Sequence, residues 1–209
     1  KDGFIQAFRK GNAITRLSAI ILGLGNLAGK QIIKGILYLA MEVSFICFMI
    51  FKGMNCLAML PSLGGREQQE IWNEKLGVYE YVAGDNSLLI LLYGVATIFL
   101  IAAYVVLVMS SVKSAYNVQS RLALGKHINT FVEDVKSLFN ENLHKLLLTL
   151  PVGGVLIFTI LPLIFMISMA FTNYSKVDSH LVLFDWVGLE NFKQLFDSGS
   201  SIGHSFWSV

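Results

Sequence analysis

Charge is scarce in this sequence: 14% of its 209 residues are Asp, Glu, Lys or Arg, against roughly a quarter in soluble domains. Together with 55% hydrophobic residues and a mean hydropathy of +0.63, that scarcity excludes an ordinary water-soluble globule. The basic residues are scattered and the net charge is only +2, so no nucleic-acid partner is expected, because such binding needs basic residues gathered on one face. Cysteine is equally sparse. Cys47 and Cys56 stand nine residues apart in one apolar segment. On a helix they lie about 13 Å apart along the axis and on opposite faces, so they neither bridge nor bind metal. A secretory leader is not expected either, because some 30 mostly amphipathic residues precede the first apolar run, far more than a leader's basic start.

What is present is three runs long enough to cross a bilayer, which takes about 20 mostly apolar residues. Leu88 to Met109 and Leu146 to Phe171 are the clearest, the latter 26 residues without a charge. The first run, roughly Ile32 to Leu60, contains Lys34, Glu42 and Lys52, but the lysines sit near its ends, where long stems carry the ammonium to the interface. The fold expected is an all-α integral membrane protein with amphipathic interfacial helices. Its order is an amphipathic N-terminal segment (1–31), transmembrane helix 1 (32–60), an outer loop (61–87) and transmembrane helix 2 (88–112). A loop with an amphipathic helix (113–145), transmembrane helix 3 (146–171), an outer segment with a re-entrant helix (172–201) and the start of a fourth span (202–209) follow.

Basic residues in short loops are retained on the cytoplasmic side, and their counts alternate. Six precede Ile36, two lie in 61–87, five between Met109 and Leu146, and two after Phe171. The expected orientation is therefore N-terminus in the cytoplasm, in a multi-pass membrane protein. Ile14, Leu17, Ile20, Ile21 and Leu24 recur at helical spacing, which predicts a surface helix lying on lipid or a partner. Ile128, Phe131, Val132, Val135, Leu138 and Phe139 make a second apolar face. Thr130 and Glu133 have capping-box spacing, and Gly125 is placed to close the helix before them. The loop 61–87 reads as polar and turn-rich, with Trp72, Tyr79 and Tyr81 suited to headgroup level.

Signals for chemistry are few, and neither catalytic nor metal-binding residues are expected. Gly23, Gly25 and Ala28 in GLGNLA match a dinucleotide-binding spacing, yet no strand and crossover surround them. Close packing or a bend is the better account. Asn173, Tyr174 and Ser175 form a glycosylation triplet too close to the bilayer for easy modification. His127, His144, His180 and His204 are dispersed, and Pro151 with Pro162 is expected to kink the third span. Glu42 is the acid well inside a span, where an unpaired carboxylate costs about 2.5 to 3.5 kcal/mol or more. It is expected to be neutral, paired or facing protein, in a helix-contact role with Tyr38 and Ser44 as local partners.

The stretch Leu148 to Ser175, a short outer segment and then FDWVGLENFKQLF resembles the first core span of binding-protein-dependent sugar permeases, the membrane subunits of ABC importers. Ala170, Phe171, Thr172 and Asn173 match one motif element of that family. Val187, Gly188, Leu189, Glu190, Asn191 and Phe192 match the second. The two extra N-terminal spans make the whole similar to maltose/maltodextrin permease subunits of Gram-positive bacteria. The resemblance implies a non-enzymatic subunit importing maltodextrin-like oligosaccharides by alternating access. It implies a second permease subunit, ABC ATPase subunits that bind the ATP, and an extracellular sugar-binding protein as partners within the lipid bilayer. Substrate-path residues and the ATPase-docking element would lie downstream, so the chain is expected to be the N-terminal part of a longer permease. The competing reading is a non-transporting membrane anchor that scaffolds other subunits. An ion-coupled transporter is disfavoured, since no second intramembrane acid accompanies Glu42 at mid-depth.

Overall fold

The computed structural model describes residues 3–74, 76–174, 176–177, 180–181 and 183–196. Three of its helices, Ile32–Met59, Ser87–Ala123 and Leu143–Met169, are long and apolar enough to cross a membrane. The fold is that of an all-α membrane protein, since helices satisfy every backbone group internally where no water reaches. The third helix buries none of its side chains, and Phe158 and Leu150 stand 81% and 75% exposed. Such a surface is untenable in water but suits contact with acyl chains, which are as apolar as Leu.

The helices depart from ideality for local reasons. Pro162 offers no N–H to the carbonyl one turn earlier, and the ladder widens into a π-helical turn, Leu156–Ile160, just ahead of it. A second π turn, Met49–Gly53, interrupts the first helix. The second helix has 37 residues, a rod of about 55 Å against a hydrocarbon layer of about 30 Å. It runs on through residues 113–123, at the start of the segment expected as a loop. Asn86 caps its start by accepting the Leu89 N–H. At its end Gly125, at φ +61°, lets Lys126 N–H reach back to the Arg121 carbonyl (2.9 Å), closing the helix as the sequence predicts.

Contacts group the chain into two compact units, one of residues 1–52 with 98–155 and one of residues 53–97 with 156 onward. In the first, short helices Phe4–Lys10, Ala13–Leu17 and Leu24–Ala28 precede the first long helix. The surface helix expected over Ile14–Leu24 is thus broken at Ser18–Gly23, while Ile14, Leu17, Ile20 and Ile21 of the apolar stripe stay exposed. Leu22, off the stripe, is fully buried, and Val112, Ala115 and Val118 of the second helix are buried too. Helix Phe131–Phe139 carries the predicted capping box of Thr130 and Glu133, and Val132 and Phe139 on it remain exposed.

In the second unit the loop after the first helix folds as an antiparallel hairpin, β1 (Gln69–Asn73) with β2 (Val78–Val82). Period-two alternation sets Trp72 opposite Tyr79, rings 5.0 Å apart and edge-on. A shorter strand pair joins Lys176–Val177 to His180–Leu181. Leu63 holds a left-handed φ of +53° with no exposed surface. The conformation costs roughly 1–2 kcal/mol for a side-chain-bearing residue, and burying a leucine returns about 1.5–3 kcal/mol, so burial wins.

Candidate functional site

A helix end leaves its last carbonyls without partners, and the third long helix ends at Met169. The two motif elements found in the sequence resolve this together. Asn191 donates from its amide to the Ala170 carbonyl (2.9 Å) and the Thr172 carbonyl (2.8 Å). The Phe171 carbonyl accepts from Val187 N–H (2.8 Å) and Gly188 N–H (3.1 Å), and Thr172 bridges Trp186. Asn173 N–H donates to the Asp185 carbonyl, and its side-chain oxygen accepts the Asp185 N–H at 2.7 Å. Phe171 packs on Phe192 with ring centroids 5.3 Å apart. Gly188, at φ +60°, supplies the left-handed turn before helix Glu190–Phe196, where Glu190 occupies the first turn and pairs with Lys193. Leu189 and Phe196 point outward, more than 60% exposed.

Two further bonds tie this clamp into its own unit. Trp186 donates its indole N–H to the Leu60 carbonyl at 2.9 Å, capping the end of the first helix, while its ring keeps 39% exposure. Its indole N–H is thereby committed to the chain's own backbone. Phe184, 2% exposed, donates its backbone N–H to the Ser87 hydroxyl. At the hairpin base Asp85 accepts the N–H groups of Gly65 and Arg66 and pairs with the Arg66 guanidinium at 3.1 Å. Those backbone donors, and then the guanidinium, hold the Asp85 carboxyl below its ordinary range.

The first unit contains a polar seam on which the broken N-terminal segment is seated. Glu42, 7% exposed, accepts the Leu22 N–H at 2.9 Å and the Tyr104 hydroxyl at 3.4 Å. Its partners are therefore not Tyr38 and Ser44. Tyr38 shares a hydrogen bond with Ser110 instead, because the residues that need satisfying are the backbone groups of the Ser18–Gly23 turns. Ser111 accepts the Gly23 N–H and donates to the Ser18 carbonyl, and the Ser18 hydroxyl accepts the Gly25 N–H. Asn26 donates to Gln31 and Ser114, Gln31 donates to the Asn129 carbonyl, and Lys34 pairs with Asp134 at 2.9 Å. Thr15 donates to Gln119 of the second helix. Phe45 stacks on Tyr104 at 4.0 Å, nearly parallel.

The GLGNLA glycines belong to this seam and cradle no phosphate. A side chain at Gly25 would collide with Ala115, and one at Gly23 with the Gly35 backbone, so close approach and a φ of +81° at Gly23 account for both. His127 lies 2.9 Å from Glu133, whose carboxyl is lowered first by the Thr130 N–H and then by His127. Asn173 of the glycosylation triplet is engaged in the clamp, and Ser175 lies outside the described residues. So do His204 and the fourth-span start at 202–209. Among the described residues no cluster of His, Cys, Asp or Glu could hold a metal ion. Sequence reasoning missed Ser18, Ser111 and Ser114, yet for Ser111 and Ser114 a signal was there: serines on a helix this apolar require partners.

Comparison with known proteins gives one consistent class. The maltodextrin transport system permease protein MalC of Streptococcus pneumoniae is 30% identical over 197 residues, 92% of this chain and 41% of that protein. The maltodextrin permease protein MdxF of Bacillus subtilis is 27% identical, over 88% of this chain and 39% of its own length. The galactooligosaccharides permease protein GanP of the same organism is 29% identical, over 88% and 40%. The chain thus spans about two-fifths of the curated relatives it matches. No protein-family model and no solved structure matches it.

Proposed function

We propose, from the premise that nine-tenths of this chain is related to oligosaccharide transport permeases, that it forms part of a permease subunit of a sugar importer. The substrate class is a maltodextrin-like oligosaccharide. The chain is non-catalytic: a second permease subunit, ATPase subunits that bind ATP, and an extracellular sugar-binding protein complete the assembly. ATP-driven alternating access moves the sugar past a site near the bilayer midplane. The observation that carries this reading is the relatedness itself, which extends over about nine-tenths of the chain.

In that scheme the chain's own residues hold helices in place. Asn191 and Trp186 finish the third and first spans on the outer side. The seam of Glu42, Ser111 and Gln31 fixes the N-terminal segment on the first and second spans on the inner side. The test is uptake of radiolabelled maltotriose and galactobiose by a strain lacking the complete gene and by the same strain with it restored. Restored uptake of the maltodextrin is expected. Unchanged uptake of both sugars in the deletion strain would mean that the protein is a scaffold or carries something else.

A further inference from the structure

The N-terminal segment covers the seam between the first and second long helices, but the same pair carries an open groove. A cleft of about 370 Å³ is lined by Lys34, Tyr38, Ser110, Lys113 and Asn117 among others. A second, of about 420 Å³, is lined by Met41, Phe45, Phe48 and Leu100 among others. The first is rich in cations and hydroxyls; the second is apolar. Lys34, Tyr38, Met41, Phe45 and Phe48 recur at i, i+4, i+7, i+11 and i+14, so one stripe of the first helix links the two. From Lys34 to Phe48 it runs about 21 Å, the length of an extended acyl chain of some sixteen carbons.

Charge selects the occupant. Lys34 is already balanced by Asp134, whereas Lys113 makes neither a hydrogen bond nor an ion pair among the described residues. A cation at the end of a span, beside hydroxyl donors and above an apolar slot, is left uncompensated by neutral lipid or by an apolar helix. A lipid phosphodiester with net negative charge satisfies all three features, and basic hollows between spans are known to take anionic headgroups. We propose that this groove binds an anionic phospholipid, its phosphate at Lys113 with Ser110, Tyr38 and Asn117 around it, and one acyl chain along Met41, Phe45 and Phe48. The site is independent of which sugar, if any, the protein transports.

The experiment uses the full-length permease assembled with its partner subunits and extracted in mild detergent. Native mass spectrometry after addition of phosphatidylglycerol or phosphatidylcholine should show preferential retention of phosphatidylglycerol. Lys113→Ala should weaken that retention about fivefold and leave phosphatidylcholine unchanged, while Lys113→Arg retains it. Equal retention of the two lipids, or no effect of Lys113→Ala, overturns the proposal. A second measurement needs no charge variant. Phosphatidylglycerol with a diazirine in its acyl chain should label Met41, Phe45 or Phe48 in the unaltered complex. If a photoreactive residue placed at Met41 instead joins another polypeptide and the lipid labels none of the three, the groove is a protein contact and the lipid site does not exist.

Discussion

Glu42 and Asn191 are polar side chains that serve backbone groups left over by secondary structure, Glu42 also accepting from the Tyr104 hydroxyl. The sequence makes Glu42 legible as a helix contact from its cost alone, but its partners lie 20 and 62 residues away, beyond what i, i+4 spacing can indicate. Glu42→Gln keeps one oxygen for the Leu22 N–H and offers its amide to the Tyr104 oxygen, so the detergent-solubilised protein should melt within a degree or two of the parent. Glu42→Leu strands both groups and should lower stability by about 1 to 2 kcal/mol. A Gln variant as unstable as the Leu variant would show that the carboxylate itself is required. For Asn191 the order is different. Asn191→Ala removes two donors from the Ala170 and Thr172 carbonyls, at about 1 to 2 kcal/mol. Asn191→Asp places negative charge against those carbonyls and against the negative end of the third helix, and should be worse than alanine by thermal melting.

Elements divide into those governed by local signals and those governed by distant ones. The capping box at Thr130 and the stop at Gly125 were readable, because each depends on residues within one turn. The surface helix over Ile14–Leu24 was misread because its periodicity is real while its interior turn is stabilised by Glu42 and Ser111 from other helices. The hairpin of β1 and β2 was hidden by charge and glycine, which read as loop, although Ile71, Trp72, Val78, Tyr79 and Tyr81 favour strands. Its base supplies a test. Asp85 has a folded pKa below its ordinary 3.8, so its contribution is complete above that value and fades as pH falls through the lower folded one. Pepsin cleavage within residues 61–87, taken relative to an unstructured substrate at the same pH so that the protease's own titration cancels, should stay flat down to about pH 4 and rise only below it. In Asp85→Asn, which cannot titrate, the acid-dependent rise should vanish; if it persists, another carboxylate controls the hairpin.

At the scale of the whole molecule, composition alone revealed the membrane class, because three long apolar runs have few other destinations. Orientation rests on the alternation of basic residues. Single cysteines at Ser62 and Ser137, in a background lacking Cys47 and Cys56, test it with an impermeant maleimide on intact cells. Ser62 should be labelled from outside and Ser137 only after lysis; labelling of Ser137 on intact cells would invert the protein. The seam between the N-terminal segment and the second helix has one more consequence, in the order of synthesis. Ser18 waits for Ser111, 93 residues later in the chain, which at 5–20 residues per second is an interval on the order of 5 to 20 s. Throughout that interval the Ser18–Gly23 turns have the Glu42 carboxylate of the first helix but no hydroxyl from the second helix to receive them. Water serves those backbone groups in the meantime, so the segment takes its final seat only after the second span has been made.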